Sequence, residues 1–217
     1  MTFEHPSPLY SPDQEHDACG VGFIANINGE RSHATLDRAL QGLKNLAHRG
    51  AIDADAVTGD GAGVLTQIPY ELLEDYLKSL GKTLYERSDL GVGMMFMPRA
   101  DEYARNHAKQ IVEDAIAKEG LNFLAWRDVP VEPDCLGKKA EMTRPHVAQI
   151  LVGKAPGMDA AAYERALFLA MRGSMRVAGE KAIPDFYVVS FSHRTLTYKG
   201  LLNAPQVSLQ PLGLLGC

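Results

Sequence analysis

Cys19 is the residue of this chain whose surroundings most favour nucleophilic chemistry. Ala18 precedes it and Gly20 follows it, and a glycine leaves the adjacent backbone uncrowded and free to adopt positive φ. If residues 1–18 were removed, Cys19 would carry both a thiol and a free α-amine, whose reference pKa is about 7.7–8.0. Such an amine can act as the base that activates its own thiol. The alternative is a buried structural cysteine at the start of a strand, because free cysteines are among the most buried residues.

The composition is that of an ordinary globular protein and narrows the possible functions. The chain has 217 residues, 46% hydrophobic and 23% charged, which is enough for one domain with a substantial core. The net charge of −5 predicts no nucleic-acid partner, and no apolar run is long enough to predict a membrane span. The three cysteines are too widely spaced for a disulfide framework or a metal site. The N-terminus lacks a secretory signal, so we expect a cytoplasmic, reducing compartment.

Four short blocks of sequence follow one another along the chain. They occupy residues 17–23, 46–51, 58–63 and 191–200. In this order they resemble the N-terminal, class II glutamine amidotransferase domain of the glutamate synthase large chain. The resemblance implies that Cys19 attacks the amide of glutamine, forms a thioester and releases ammonia for glutamate biosynthesis. It also implies that Arg49, in the second block, supports the cysteine. The alternative for Arg49 is a surface cation favoured by the dipole of the preceding helix.

The resemblance also implies the rest of the enzyme. In the family, ammonia passes to a synthase region of the same chain, which converts 2-oxoglutarate to glutamate with FMN and an iron–sulfur cluster. A small flavoprotein subunit is a further partner. We expect no ligands for these cofactors in this segment, and glutamine as its substrate. Amidotransferases that feed synthases making phosphoribosylamine or glucosamine phosphate share the cysteine, but residues 17–23 and 198–200 fit glutamate synthase better.

The resemblance ends after Val207. The family continues with a His-x-Arg-Phe-Ser-Thr block, whose arginine holds the glutamine carboxylate, and a His-Asn-Gly block that supplies the oxyanion hole. Neither block occurs in this sequence. We therefore expect a propeptide or disordered leader at 1–18, a partial amidotransferase domain at 19–207 and an atypical tail at 208–217, from a truncated or frame-shifted coding region. Because one missing oxyanion donor costs about 10²–10³ in rate, the expectation is a poorly active glutaminase or an inactive remnant.

Hydrophobic periodicity predicts an α+β chain. Helices are predicted at 32–48, 69–80, 101–119 and 159–179, and strands at 20–28, 62–68, 91–97, 121–129, 145–152, 186–190 and 195–199. The resemblance implies the four-layer αββα sandwich of N-terminal-nucleophile hydrolases, incomplete at the C-terminus, with the strand at 62–68 beside the cysteine strand.

Several turns are predicted from individual residues. Gly50 is placed where a left-handed residue often ends a helix, and Gly179 is placed likewise. The glycine-rich block 58–63 lacks the lysine of a phosphate loop, so we predict a tight turn in which Asp60 binds its own backbone. Residues 192–194 are predicted to form the turn of a hairpin rather than a catalytic group, because no acidic partner is nearby in sequence.

Overall fold

The structure is a computed structural model that describes residues 20–50, 52–84 and 86–207. The helices of this part are α1 His33–Asn45, α2 Tyr70–Ser79, α3 Glu102–Lys118, α4 Lys138–Thr143, α5 Ala160–Glu180 and α6 Ala204–Val207. The strands are β1 Ala62–Gln67, β2 Leu90–Met97, β3 Asn122–Asp128, β4 His146–Gly153, β5 Tyr187–Ser192 and β6 Thr195–Gly200. None of the described helices is long and apolar enough to cross a membrane.

The strands form two antiparallel sheets. One has four strands in the order β3-β4-β2-β5, and the other pairs β1 with β6. The register of the smaller sheet runs from Ala62 opposite Gly200 to Gln67 opposite Thr195. The predicted α+β class is therefore confirmed.

The four-stranded sheet is packed on both faces. On one face Met95 of β2 and Ile150 of β4 pack with residues of α3 and α5, including Leu167. On the other face Met94 and Leu151 pack with residues of α2 and β6. Because alternate side chains of a strand point to opposite faces, burial on both faces explains why β2 is an uninterrupted apolar run.

Local capping explains where the long helices begin. The side chains of Ser32, Asp101 and Asp159 each accept a hydrogen bond from the backbone amide three residues later, which satisfies a donor that a helix start leaves unpaired. Gly81 and Gly120 follow α2 and α3 with φ of 71° and 72°. These boundaries agree with the predicted ones.

Two predicted helix ends are wrong. Gly50 has φ −90° and ψ 145°, so it is extended rather than left-handed, and α1 already ends at Asn45. A single 3₁₀ turn, Ala47–Arg49, carries the chain onward because it satisfies the next backbone groups. Helix α5 continues past Gly179 to Glu180, and Ala182 beyond it takes the positive φ.

The strand predicted at 20–28 is absent from the described structure, where this segment has no regular hydrogen-bonding partner. Val21, Phe23 and Ile27 are 90%, 91% and 102% exposed. Its alternating pattern is real, but a strand forms only against a neighbouring strand. Among the described residues, the expected neighbour β1 pairs only with β6. A turn closes this segment, since the Gly29 amide donates to the Asn26 carbonyl at 3.0 Å.

The predicted hairpin of β5 and β6 is also wrong. Both strands exist, but β5 pairs with β2 and β6 pairs with β1. The residues between them therefore form a corner at which the chain leaves one sheet for the other. Sequence proximity suggested the hairpin, whereas burial of β5 beside β2 decided the pairing.

Candidate functional site

Cys19 and Arg49 are the two residues that the sequence analysis assigned to the catalytic site. Cys19 lies outside the described residues. Arg49 closes the 3₁₀ turn Ala47–Arg49, but only its backbone is described. The nucleophilic role of Cys19 and the supporting role of Arg49 therefore stay predictions. His48, exposed beside Arg49, has Nδ1 at 3.0 Å from the Asn45 carbonyl oxygen, which agrees with a capping residue.

The second and third blocks of the sequence meet in space. A Cβ atom built on Gly50 would lie 3.3 Å from Oδ1 of Asp60. The turn that carries Arg49 therefore packs against the glycine-rich block. Gly50 and Asp60 are 10 positions apart in sequence, and the fold brings their two turns together.

The glycines of the third block permit close packing against the fourth. A Cβ on Gly59 would lie 2.4 Å from the Leu202 carbonyl oxygen, and one on Gly63 would lie 2.6 Å from the Tyr198 carbonyl oxygen. Any side chain at either position would collide with backbone. The glycines thus serve the close contact of β1 with β6 and of Gly59 with the residues that follow β6.

Asp55, rather than Asp60, organises the loop before this turn. Its Oδ1 accepts hydrogen bonds from the amides of Thr58 and Val57 at 2.7 Å and 3.0 Å, and its Oδ2 accepts from the Thr58 hydroxyl at 2.5 Å. These bonds, that of the Thr58 hydroxyl first, lower the pKa of Asp55 to about 2. Sequence analysis assigned this kind of contact to Asp60 and missed Asp55.

Gln206 joins this loop to α6, which follows the fourth block. Its side chain is buried, and Nε2 donates to the carbonyl oxygens of Val57, at 3.2 Å, and of Cys135. Its Oε1 accepts from the Asn203 amide at 2.8 Å. Helix α6 is thereby attached to the loop that precedes Gly59. Val57 is 149 residues away in sequence, so no local pattern could have revealed this contact.

Glu164 on α5 supplies the acidic partner that the 192–194 corner lacks in sequence. Ser192 Oγ donates to Oε1 at 2.7 Å, and the His193 amide donates to Oε2 at 3.1 Å. The His193 ring is buried and lies 5.2 Å from the Tyr163 ring. Because the serine proton goes to the carboxylate rather than to the imidazole, the group does not form a Ser–His relay. Its role is to hold the corner between the two sheets.

An open groove of about 580 Å³ runs over the third and fourth blocks. Its lining comes from residues 60–65, Phe96, Thr197 and residues 199–201. The groove can admit a molecule of the size of an amino acid. Lys199 beside it has Nζ at 3.1 Å from the Tyr187 hydroxyl. Among the described residues, no three His, Cys, Asp or Glu side chains are placed to hold a metal ion.

Comparison with known proteins relates this chain to one family. The sequence profile of the class II glutamine amidotransferases matches residues 19–210. The chain is 42% identical over 191 residues to ferredoxin-dependent glutamate synthase 2 of Synechocystis sp., covering 88% of this chain and 12% of that protein. It is 39% identical over 199 residues to the glutamate synthase [NADPH] large chain of Azospirillum brasilense, covering 92% and 13%.

The large chain of Bacillus subtilis is 36% identical over 200 residues, covering 92% of this chain. This chain thus spans about 13% of the length of the relatives that it matches. The match to the family profile covers most of the sequence, from residue 19 in the first block to beyond the end of the fourth. The chain therefore belongs to the class II glutamine amidotransferases and is related to the N-terminal region of glutamate synthase large chains.

Proposed function

We propose that this chain carries the nucleophile-bearing part of a glutaminase site of the glutamate synthase type. The observation that carries the proposal is the family match, which begins at residue 19, the cysteine itself. After removal of residues 1–18, the α-amine of Cys19 accepts the thiol proton. The sulfur then attacks the side-chain amide carbon of glutamine, ammonia leaves, and water hydrolyses the thioester to glutamate.

The geometry of the described blocks supports this assignment. The backbone turn of Arg49 packs against Asp60 through Gly50, and the β1–β6 pair carries a groove beside the same residues. Arg49 is proposed to order the surroundings of Cys19. The four-layer sandwich is part of the proposal. Its support is that the four-stranded sheet packs on α3 and α5 on one face and faces β6 on the other.

The activity of a whole glutamate synthase is a further part of the proposal. The relatives in Azospirillum brasilense and Bacillus subtilis are named for NADPH and the one in Synechocystis for ferredoxin, so the electron donor is left open. Ammonia from this site would serve a synthase region with FMN and an iron–sulfur cluster. A small flavoprotein subunit would be the partner in an NADPH-dependent enzyme.

Labelling with a glutamine-mimicking diazoketone tests the site. A chain that begins at Cys19 should gain the mass of one adduct, whereas a chain that keeps Met1 should gain none, because its Cys19 amine is locked in a peptide bond. The Cys19→Ala variant should not react, and the matched Cys135→Ala variant should react normally. Absence of an adduct on the processed chain, or an adduct on Cys135, would overturn the proposal.

A second candidate is a remnant without catalysis. It is favoured by the exposed apolar side chains of residues 21–27. Under our proposal the processed chain is labelled on Cys19. A remnant would be neither labelled nor active, and its thermal unfolding would be broad rather than cooperative.

A further inference from the structure

An apolar cavity of about 460 Å³ lies between the four-stranded sheet and β6. Met94 and Phe96 of β2 line one side, Ala140 of α4 another, and Leu202 and Val207 a third. Tyr198 also lines it, with a hydroxyl that accepts a hydrogen bond from the Gln149 amide at 3.2 Å. A cavity of this size is typical of sites that hold a ligand or an apolar segment.

The wall of the cavity is also the point from which the last residues of the chain depart. Val207, which is 1% exposed, ends α6. The hydrogen bonds of Gln206 to the carbonyl oxygens of Val57 and Cys135 fix this end of the helix. The described chain therefore ends beside the cavity.

The sequence after Val207 matches the chemistry of the cavity. Residues 208–217 contain four leucines, at 209, 212, 214 and 215, and no charged side chain. Ten residues can extend up to about 33–36 Å, which is ample to cross a cavity of this volume. We propose that leucines of residues 208–217, which lie outside the described residues, occupy this cavity and form an intramolecular plug between the sheet and β6.

The exposed apolar segment at 20–27 is a weaker occupant. None of the residues that line the cavity comes from residues 20–50. At the end of this segment, Arg31 lies over the Tyr70 ring with Cζ 4.6 Å from its centroid, at the start of α2. The tail, by contrast, is joined to the cavity wall, and a short tether gives it a high effective concentration there.

Paramagnetic broadening in solution tests the plug. A nitroxide is attached to Cys217 in a full chain carrying Cys19→Ser and Cys135→Ser, and methyl signals are compared with and without reduction of the nitroxide. Signals of Val131, Leu136 and Leu202 should lose most of their intensity, whereas those of Leu167 and Val112, on the other face of the sheet, should keep most of it.

The matched control keeps the label and replaces Leu212, Leu214 and Leu215 by serine, which should restore the cavity signals. A second variant, Val131→Trp, fills the cavity from its partly exposed rim. It should restore the intensity of the Leu136 and Leu202 signals, which are the two cavity signals that this variant keeps. Unbroadened cavity signals in the starting protein, or equal broadening in all three chains, would overturn the proposal. The proposal would also be overturned by broadening between chains. If an isotope-labelled chain without nitroxide is mixed with a nitroxide-labelled chain and its cavity signals are broadened, the plug comes from a second copy.

Discussion

The four-stranded sheet and the two-stranded sheet differ in how completely they are covered. Every residue of β2 except Phe96 is buried, and every residue of β4 from Ala148 onward is buried. In β1 no residue is buried, and Leu65 is 63% exposed. The segment that precedes this smaller sheet in the chain, residues 20–28, is exposed throughout.

The contrast separates the residues that stabilise the fold from those that carry the candidate chemistry. Buried apolar area is the main favourable term in folding, and most of it lies in and around the four-stranded sheet. The blocks around Arg49 and Gly59 lie on the sparsely covered side, where close backbone contacts and hydrogen bonds fix position. We therefore expect substitutions in the two regions to have different thermodynamic effects.

The largest expected effect is truncation of the sheet core. Leu151 of β4 is fully buried, so Leu151→Ala should lower the free energy of unfolding by about 2–5 kcal/mol. Leu65→Ala in β1 is the matched control, and it should change stability by no more than about 0.5 kcal/mol because Leu65 is exposed. Urea denaturation measures both. Equal losses would remove the distinction between the two sheets.

The next effect concerns the close contact of the third and fourth blocks. Gly59→Ala would force a methyl group against the Leu202 carbonyl, and it should destabilise by about 1–3 kcal/mol. Gly173→Ala in α5 meets no atom within 4 Å and should stabilise by about 0.5–1 kcal/mol, since alanine is the better helix former. Opposite signs in denaturant titrations support the packing described for the site. Tolerance of Gly59→Ala would argue against it.

The smallest expected effect is the pH dependence of the loop before the glycine block. The pKa of Asp55 is lowered from 3.8 to about 2 in the folded chain, first by the Thr58 hydroxyl. A depressed pKa contributes stability that is present above the unfolded pKa and is lost as the pH falls through about 2. Asp55→Asn and Thr58→Val should therefore both reduce the loss of unfolding free energy as the pH falls from about 4 to about 2.

Acid titration monitored by circular dichroism checks this. Thr143→Val, which removes an exposed hydroxyl of α4, is the matched control and should leave the pH dependence of the unfolding free energy unchanged. If neither loop variant changes this pH dependence, the carboxylate of Asp55 is not held by Thr58 in solution.

Local signals in the sequence predicted most of the elements. The caps at Ser32, Asp101 and Asp159 act within one turn of helix, so they can be recognised without the fold. The same locality explains the failures. Residues 20–28 alternate like a strand, yet the pattern cannot say which strand would pair with it. Adjacent strands β5 and β6 imply a hairpin, yet each found its partner far away in sequence.

The candidate site divides in the same way. The four blocks and Cys19 are visible in the sequence, and the family match agrees with them. The contacts of Glu164 with residue 193 and of Gln206 with Val57 join positions 29 and 149 residues apart. No local pattern could indicate these pairs, although they determine where the blocks lie.

By itself, the sequence determined the type of most long elements, the helix starts and the family, because these depend on neighbouring residues or on ordered motifs. Only the tertiary structure decided that β6 leaves its neighbour to pair with β1 and that Gly59 and Gly63 become points of backbone contact. The physical reason is that strand pairing and side-chain burial are chosen by the whole set of competing partners. The pairing is settled when the whole chain packs, so no single segment of the sequence predicts it.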